Sequence, residues 1–138
     1  MSMPDSINII NSPHVYQTGN FGFSQAVVFN RLIFGSGQVG WDKQLNLPHT
    51  NDFAQQFGQT LRNITQILNE GESNWQDVIL LRFYIVDLDP EKREHIGKFL
   101  KETYSEQYAP ATTMIGVAAL ARKELLIEIE FIAKTNTS

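Results

Sequence analysis

The chain has 138 residues, 42% hydrophobic and 19% charged, with a net charge of -4, which suits one buried core and excludes a disordered chain or a coiled coil. Its 11 Lys and Arg are scattered rather than clustered, so no surface for neutralising phosphates is expected and nucleic acid is not an expected partner. No cysteine is present, which excludes disulfides, thiolate metal sites and cysteine nucleophiles.

The N-terminus, MSMPDSINIINSPHV, lacks the basic region and long apolar stretch of a signal peptide, and the apolar runs elsewhere are of strand length. A cytoplasmic protein with no membrane segment is therefore expected, as one domain over residues 1–138 with about 1–15 loosely ordered. GFSQAVVFNRLIFGSGQVGW reads as two strands around a turn at Asn30 and Arg31, a hairpin. DKQLNLPHT is a polar loop. Phe53, Phe57, Leu61, Ile64 and Leu68 then recur at helical spacing, with Thr50 or Asn51 placed to cap the start and Gly71 to follow the end. DVILLRFYIVDL, rich in β-branched and aromatic residues, reads as a central strand. Asp89 and Pro90 open a second helix whose stripe Ile96, Phe99, Leu100 and Thr103 runs towards Gln107 and stops before Pro110. ATTMIGVAAL and LLIEIEFIA close the series as two strands joined by a short loop.

The order β-β-α-β-α-β-β predicts an α+β fold with two helices on one face of a mixed sheet. Alternation assigns the faces. In the last strand Ile127, Ile129, Phe131 and Ala133 share one face, while Leu126, Glu128, Glu130 and Ile132 share the other. In the central strand Leu81, Phe83 and Ile85 oppose Leu80, Arg82, Tyr84 and Val86. Both faces are largely apolar and the helices cover one, so the second predicts a partner, most economically another copy of the chain.

Gly35, Gly37 and Gly40 match G-x-G-x-x-G, but WDKQLNLP follows where a dinucleotide site needs a helix N-terminus. These glycines read instead as a place where the strand bulges and a backbone or ligand comes close. His14, His49 and His95 have no metal-ligand spacing, so no metal or cofactor is expected. Ser36 has no base at a recognisable spacing and reads as a strand-end hydroxyl satisfying the backbone. Asn63 and Asn136 head N-x-[ST] triplets that would matter only in a secreted protein. Arg82, in the middle of an apolar strand, calls for a carboxylate, and Glu128 and Glu130 are the candidates if the strands are neighbours. Two readings of the acid pair stand side by side: neutralisation of Arg82, or catalysis.

SGQVGW, DLDP with its helix, APATTMIGVAAL and LIEIEFIA, in that order, resemble the Rid/YjgF family of small imine deaminases, also called the translation-inhibitor or L-PSP endoribonuclease family. The resemblance covers about Phe21 to Ala133. It implies a chorismate-mutase-like α+β fold of the Bacillus type, a homotrimer whose sheets pack around a central barrel, and a small-molecule cleft at each subunit boundary. In deaminating members it implies a glutamate of the I-E-I-E strand acting on the water that adds to C=N, an arginine of a P-A-R segment gripping the substrate carboxylate, and a serine, an asparagine and a tyrosine lining the pocket. Carried onto this chain, the glutamate is Glu128 and the serine is Ser36. Phe23 stands at the tyrosine's place, His95 at the asparagine's, Met114 at that of a frequent cysteine, and Thr112 at the arginine's.

The expected function is thus water addition to an imine, enamine or related substrate by Glu128, with Ser36, Thr112, Phe23, His95, Met114 and Arg82 around the substrate. Thr112 predicts inefficient action on 2-imino acids, because losing one partner of a buried charged pair costs about 2 to 5 kcal/mol. The alternatives are a non-catalytic trimer that binds a small ligand or a protein, and an endoribonuclease, for which no basic groove is visible.

Overall fold

Phe29 and Leu32 pair across a two-residue turn in which Asn30 (φ 52°) and Arg31 (φ 65°) both take the left-handed conformation. Such a turn matches the twist of its flanking strands. It makes β2 (Ala26–Phe29) and β3 (Leu32–Gln38) the expected hairpin. This computed structural model of the chain describes residues 6–48, 50–105 and 108–137; His49 and Gln107 lie outside the described residues.

The remaining elements are β1 (Asn8–Ile10), α1 (Phe53–Glu70), β4 (Val78–Val86), α2 (Pro90–Thr103), β5 (Ala111–Val117) and β6 (Ile127–Lys134). One sheet results, in the order β1-β2-β3-β6-β4-β5. β4 and β5 pair in parallel, with α2 as their crossover, and the other pairs are antiparallel. β6, last in the chain, is thus held between β3 and β4.

Both helices lie on one face, where the core sits. The Phe57 ring meets Phe83 of β4 edge-on at 6.5 Å and Phe99 of α2 at 5.7 Å, and Ile64, Ile67, Ile96, Leu81, Ile127 and Ile129 are fully buried. Each such side chain contributes roughly 1.5 to 3 kcal/mol of transfer free energy. Asp89 caps α2 as expected, accepting from Lys92 N at 2.8 Å. The cap of α1 differs from expectation: Asp52 accepts from Gln55 N at 3.0 Å, and neither Thr50 nor Asn51 serves. Asn51 has φ 62°, whereas a capping residue is extended, as Asp52 is.

Over residues 6–15 the expected loose N-terminus is also corrected, residues 1–5 lying outside the described residues. Asn8–Ile10 adds a strand to β2 with Ile10 against the core, and Val15 and Tyr16 are buried. The Gln25 side chain ties together two points of the segment after the strand. Gln25 accepts from Ser12 N at 2.7 Å and donates to Ser12 O and Tyr16 O, each at 3.2 Å.

The second sheet face is open in the chain. Ile9 is 66% and Phe34 40% exposed, and Leu80, Tyr84, Leu126 and Ile132 are only partly buried. Among the described residues no helix is long and apolar enough to cross a membrane.

Candidate functional site on the open sheet face

The site begins with a bulge. From Phe131 to Ile129 β6 advances two residues while β3 advances three, from Gly35 to Gln38. An extra residue bends the strand and re-aims its neighbours. Here it brings the Gly37 backbone against the Glu128 carboxylate: a Cβ on Gly37 would lie 2.6 Å from Glu128 Cδ and 2.8 Å from Cγ. Gly35 makes similar room for the Phe131 ring. The glycines therefore serve close approach, as their spacing without a following helix suggested.

On the other side of β6, Tyr84 pairs with Glu128 and Arg82 with Glu130. Glu130 Oε1 lies 3.3 Å from Arg82 Nη1 and also accepts from the Tyr84 hydroxyl. That hydrogen bond is the main reason the Tyr84 phenol is held above its ordinary value. Glu128 has no ion-pair partner among the described residues. Burial, and then the charge of Glu130, push its carboxyl above the usual glutamate range. The two acids are thus differentiated by their surroundings: Glu130 neutralises Arg82, and Glu128 is left with an elevated proton affinity.

Tyr16 is a buried neighbour within electrostatic reach of Glu128. Its buried hydroxyl accepts from Val39 N at 3.3 Å, its ring meets Trp41 edge-on at 5.2 Å, and burial raises its pKa, with a smaller contribution from Glu128.

The other residues singled out in the sequence divide into groups. Ser36 adjoins the bulge, but its hydroxyl donates to Ser24 O at 2.6 Å, satisfying the backbone. Phe23 is 44% exposed, stacks on Phe21, and lines a cavity of about 290 Å³ with Asn11, Thr18 and Ser24. Thr112 and Met114 are registered in parallel with Leu81 and Phe83, which places them on the helix side of the sheet. Met114 packs against the core, and Thr112 is exposed with its hydroxyl donating to Pro110 O at 3.1 Å. His95 is exposed on α2, 6.0 Å from the Phe53 ring, beside a cavity of about 330 Å³ that also touches Asp52, Asp89, Lys92 and Leu126. Within one chain, then, Glu128, Glu130 and Arg82 come together on one face, while Thr112, Met114 and His95 belong elsewhere. His14 lies in an exposed turn, and among the described residues no three His, Asp or Glu side chains gather to hold a metal.

Sequence reasoning gave no site role to two residues here. Tyr84 could have been found, because it shares the strand face of Arg82 two residues on. Tyr16 gave no signal while its segment read as loose.

A mixed sheet with two helices on one face and an acid beside a bulge on the other defines a class of small α+β proteins. The family model described as Endoribonuclease L-PSP matches residues 17–135, and the chain belongs to that family, the Rid/YjgF family. The chain is 31% identical over 114 residues to a RutC family protein of Pyrococcus abyssi, covering 80% of this chain and 84% of that one. It is 32% identical over 111 residues to the 2-iminobutanoate/2-iminopropanoate deaminase of Rattus norvegicus, covering 80% and 78%. The solved structure of the Rid family protein YyfA from Yersinia pestis superposes with a TM-score of 0.83 at 24% identity, covering 94% of this chain and 100% of that one, a likeness of fold.

Proposed function

We propose that the protein is a homotrimeric hydrolase that adds water to an imine, enamine or related small substrate, with Glu128 as general acid and base. The observation that carries this reading is the half-buried Glu128 carboxyl with its raised proton affinity, held against the bare backbone of Gly37. General acid–base work is most effective when the pKa of the group lies near the working pH. In the reaction, water oxygen bonds to the carbon of C=N as Glu128 takes a water proton and the nitrogen gains one. Collapse of the resulting amino alcohol forms C=O, breaks C–N and releases ammonia. Glu130, engaged by Arg82 and Tyr84, lies beside Glu128 and is, after burial, the second cause of its raised proton affinity.

Thr112 and Glu128 lie on opposite faces of one sheet. They meet only across a subunit boundary, where the site is completed by a second chain. A neutral hydroxyl at Thr112 in place of a guanidinium forfeits a charge-assisted hydrogen bond worth about 1.5 to 3 kcal/mol, so 2-imino acids react about two orders of magnitude more slowly than in arginine-bearing relatives. Uncharged or weakly charged substrates are preferred.

A screen of imines, enamines and amides with wild type and Glu128→Gln tests this, with sedimentation run in parallel. Turnover by the wild type, lost at least 100-fold in an intact trimer of the variant, is the expected result. If no substrate is turned over and Glu128→Ala weakens the trimer, the protein is instead a binding member of its family with a structural acid pair.

A further inference from the structure

We propose that Gln56 and Asn63, two buried amides on one face of α1, are positioning residues that hold Glu128 against the Gly37 backbone. The inference rests on the reading of Glu128 as the site acid. Gln56 and Asn63 are seven residues apart, two turns or about 10 Å along the helix. Each grips a segment lying just outside a strand. Gln56 Oε1 accepts from Leu126 N at 2.9 Å and its Nε2 donates to Glu124 O at 3.1 Å, fixing the entry to β6 two residues before Glu128. Asn63 Nδ2 donates to Val39 O at 2.9 Å and to Trp41 O at 3.0 Å, fixing the exit from β3 two residues after Gly37.

β6 stays paired with β4 as far as Ile127, and Val86 N donates to Leu126 O at 3.0 Å, but the β3–β6 ladder ends at Gln38 with Ile129. Beyond it, the gap between the two chain ends is set by the helix that both ends are tied to. Gly40 brings the β3 exit into direct contact with that helix, where a Cβ would lie 3.1 Å from Gln56 Cα. Buried amides on one helix that bind the backbone of two separate segments act as a fixed spacer. Loss of either lets the bulge and the acid part, and water enters between them.

The test uses the full chain labelled with 13C at glutamate carboxyls, titrated by NMR, together with steady-state kinetics. The variants are Gln56→Ala and Asn63→Ser. Ser73→Ala is the comparison, since Ser73 Oγ donates to Lys134 O at 2.7 Å near the opposite end of β6. Glu130 on β6 itself, and Tyr16, Arg82 and Tyr84 from neighbouring elements, are unchanged in all three. Glu128 is expected to titrate lower in both helix variants and as in wild type in Ser73→Ala, with kcat reduced about 10- to 100-fold and KM altered less. Unchanged Glu128 titration in folded helix variants, or an equal shift in Ser73→Ala, overturns the proposal. Should Gln56→Ala not fold, Gln56→Met, which keeps the length of the side chain and loses both bonds without adding a charge, decides the matter by the same titration. A wild type without turnover would sink the proposed function, yet the titration would still decide the spacer role.

Discussion

The carboxylate of Glu128 occupies the space that a side chain at Gly37 would fill. Substituting Gly37 by Ala therefore displaces the acid itself. Because the obstructing atoms end a flexible side chain, the cost to folding is small, while misplacement of a catalytic group by about 1 Å can cost roughly 100-fold. Gly37→Ala is expected to retain the thermal midpoint within a few degrees and lose about 100-fold in turnover. Gly35→Ala is expected to do the reverse, since its Cβ would meet the Phe131 ring and overpacking costs about 1 to 3 kcal/mol. Thermal melts and kinetics of the two variants side by side check this; equal losses of stability would contradict it.

Glu128 also links stability to pH. Its folded-state pKa is raised, by burial and then by Glu130, so the folded chain holds a proton that the unfolded chain has already released. The stability involved is fully present below the unfolded glutamate value of about 4.3 and is lost as pH rises through the folded value. Glu128→Gln removes this loss. The variant is expected to be more stable than wild type at pH 7 and to converge on it near pH 4, measured by urea denaturation. Wild type more stable at pH 7 would show that the ionised carboxylate is favoured by the fold.

The Arg82–Glu130 pair reports on whether the open face is covered. In the isolated chain the side chains are 44% and 32% exposed, and an exposed pair contributes about 0 to 1 kcal/mol. Breaking a buried pair by removing one partner costs about 3 to 5 kcal/mol. Arg82→Met is expected to show the larger cost in the assembled protein, read as a thermal midpoint that falls further and depends more steeply on protein concentration than in wild type. A loss below about 1 kcal/mol at all concentrations would mean that the face stays solvated.

Much of this arrangement could be read from alternation. Ile127, Ile129 and Phe131 are buried and Leu126, Glu128 and Glu130 are half-buried, as a period of two requires. The α1 stripe was equally legible, because Phe53, Phe57, Ile64 and Leu68 lie on one helical face. What escaped depends on contacts between distant segments. β1 has three residues and buries Ile10 alone, too short for any period to show. Gln56 and Asn63 interrupt the apolar stripe, and only the strand ends that they bind explain them. Strand order was hidden too: that β6 lies between β3 and β4, giving Arg82 Glu130 rather than Glu128, depends on pairing registers that no single segment carries.

Thr112→Arg tests whether the acid is a working tool that lacks its anchor. Thr112 is exposed at the edge strand β5, with its hydroxyl turned to Pro110 O, so a longer side chain has solvent to extend into and folding is expected to be little affected. A guanidinium there can take a carboxylate in a bidentate, charge-assisted pair, which a hydroxyl cannot. Ammonia release from freshly generated 2-aminoacrylate is expected to rise about 10- to 100-fold in kcat/KM over wild type, within the roughly 1.5 to 3 kcal/mol of such a bond. The gain should vanish in the double variant with Glu128→Gln. Since the two positions occupy opposite faces of one chain, co-assembled trimers of Thr112→Arg/Glu128→Gln chains with wild-type chains should recover part of the gain, because an arginine from one subunit then faces a Glu128 from the next. Recovery absent from mixed trimers, with the gain present in Thr112→Arg alone, would place both residues in a site within one chain and overturn the subunit-boundary assignment.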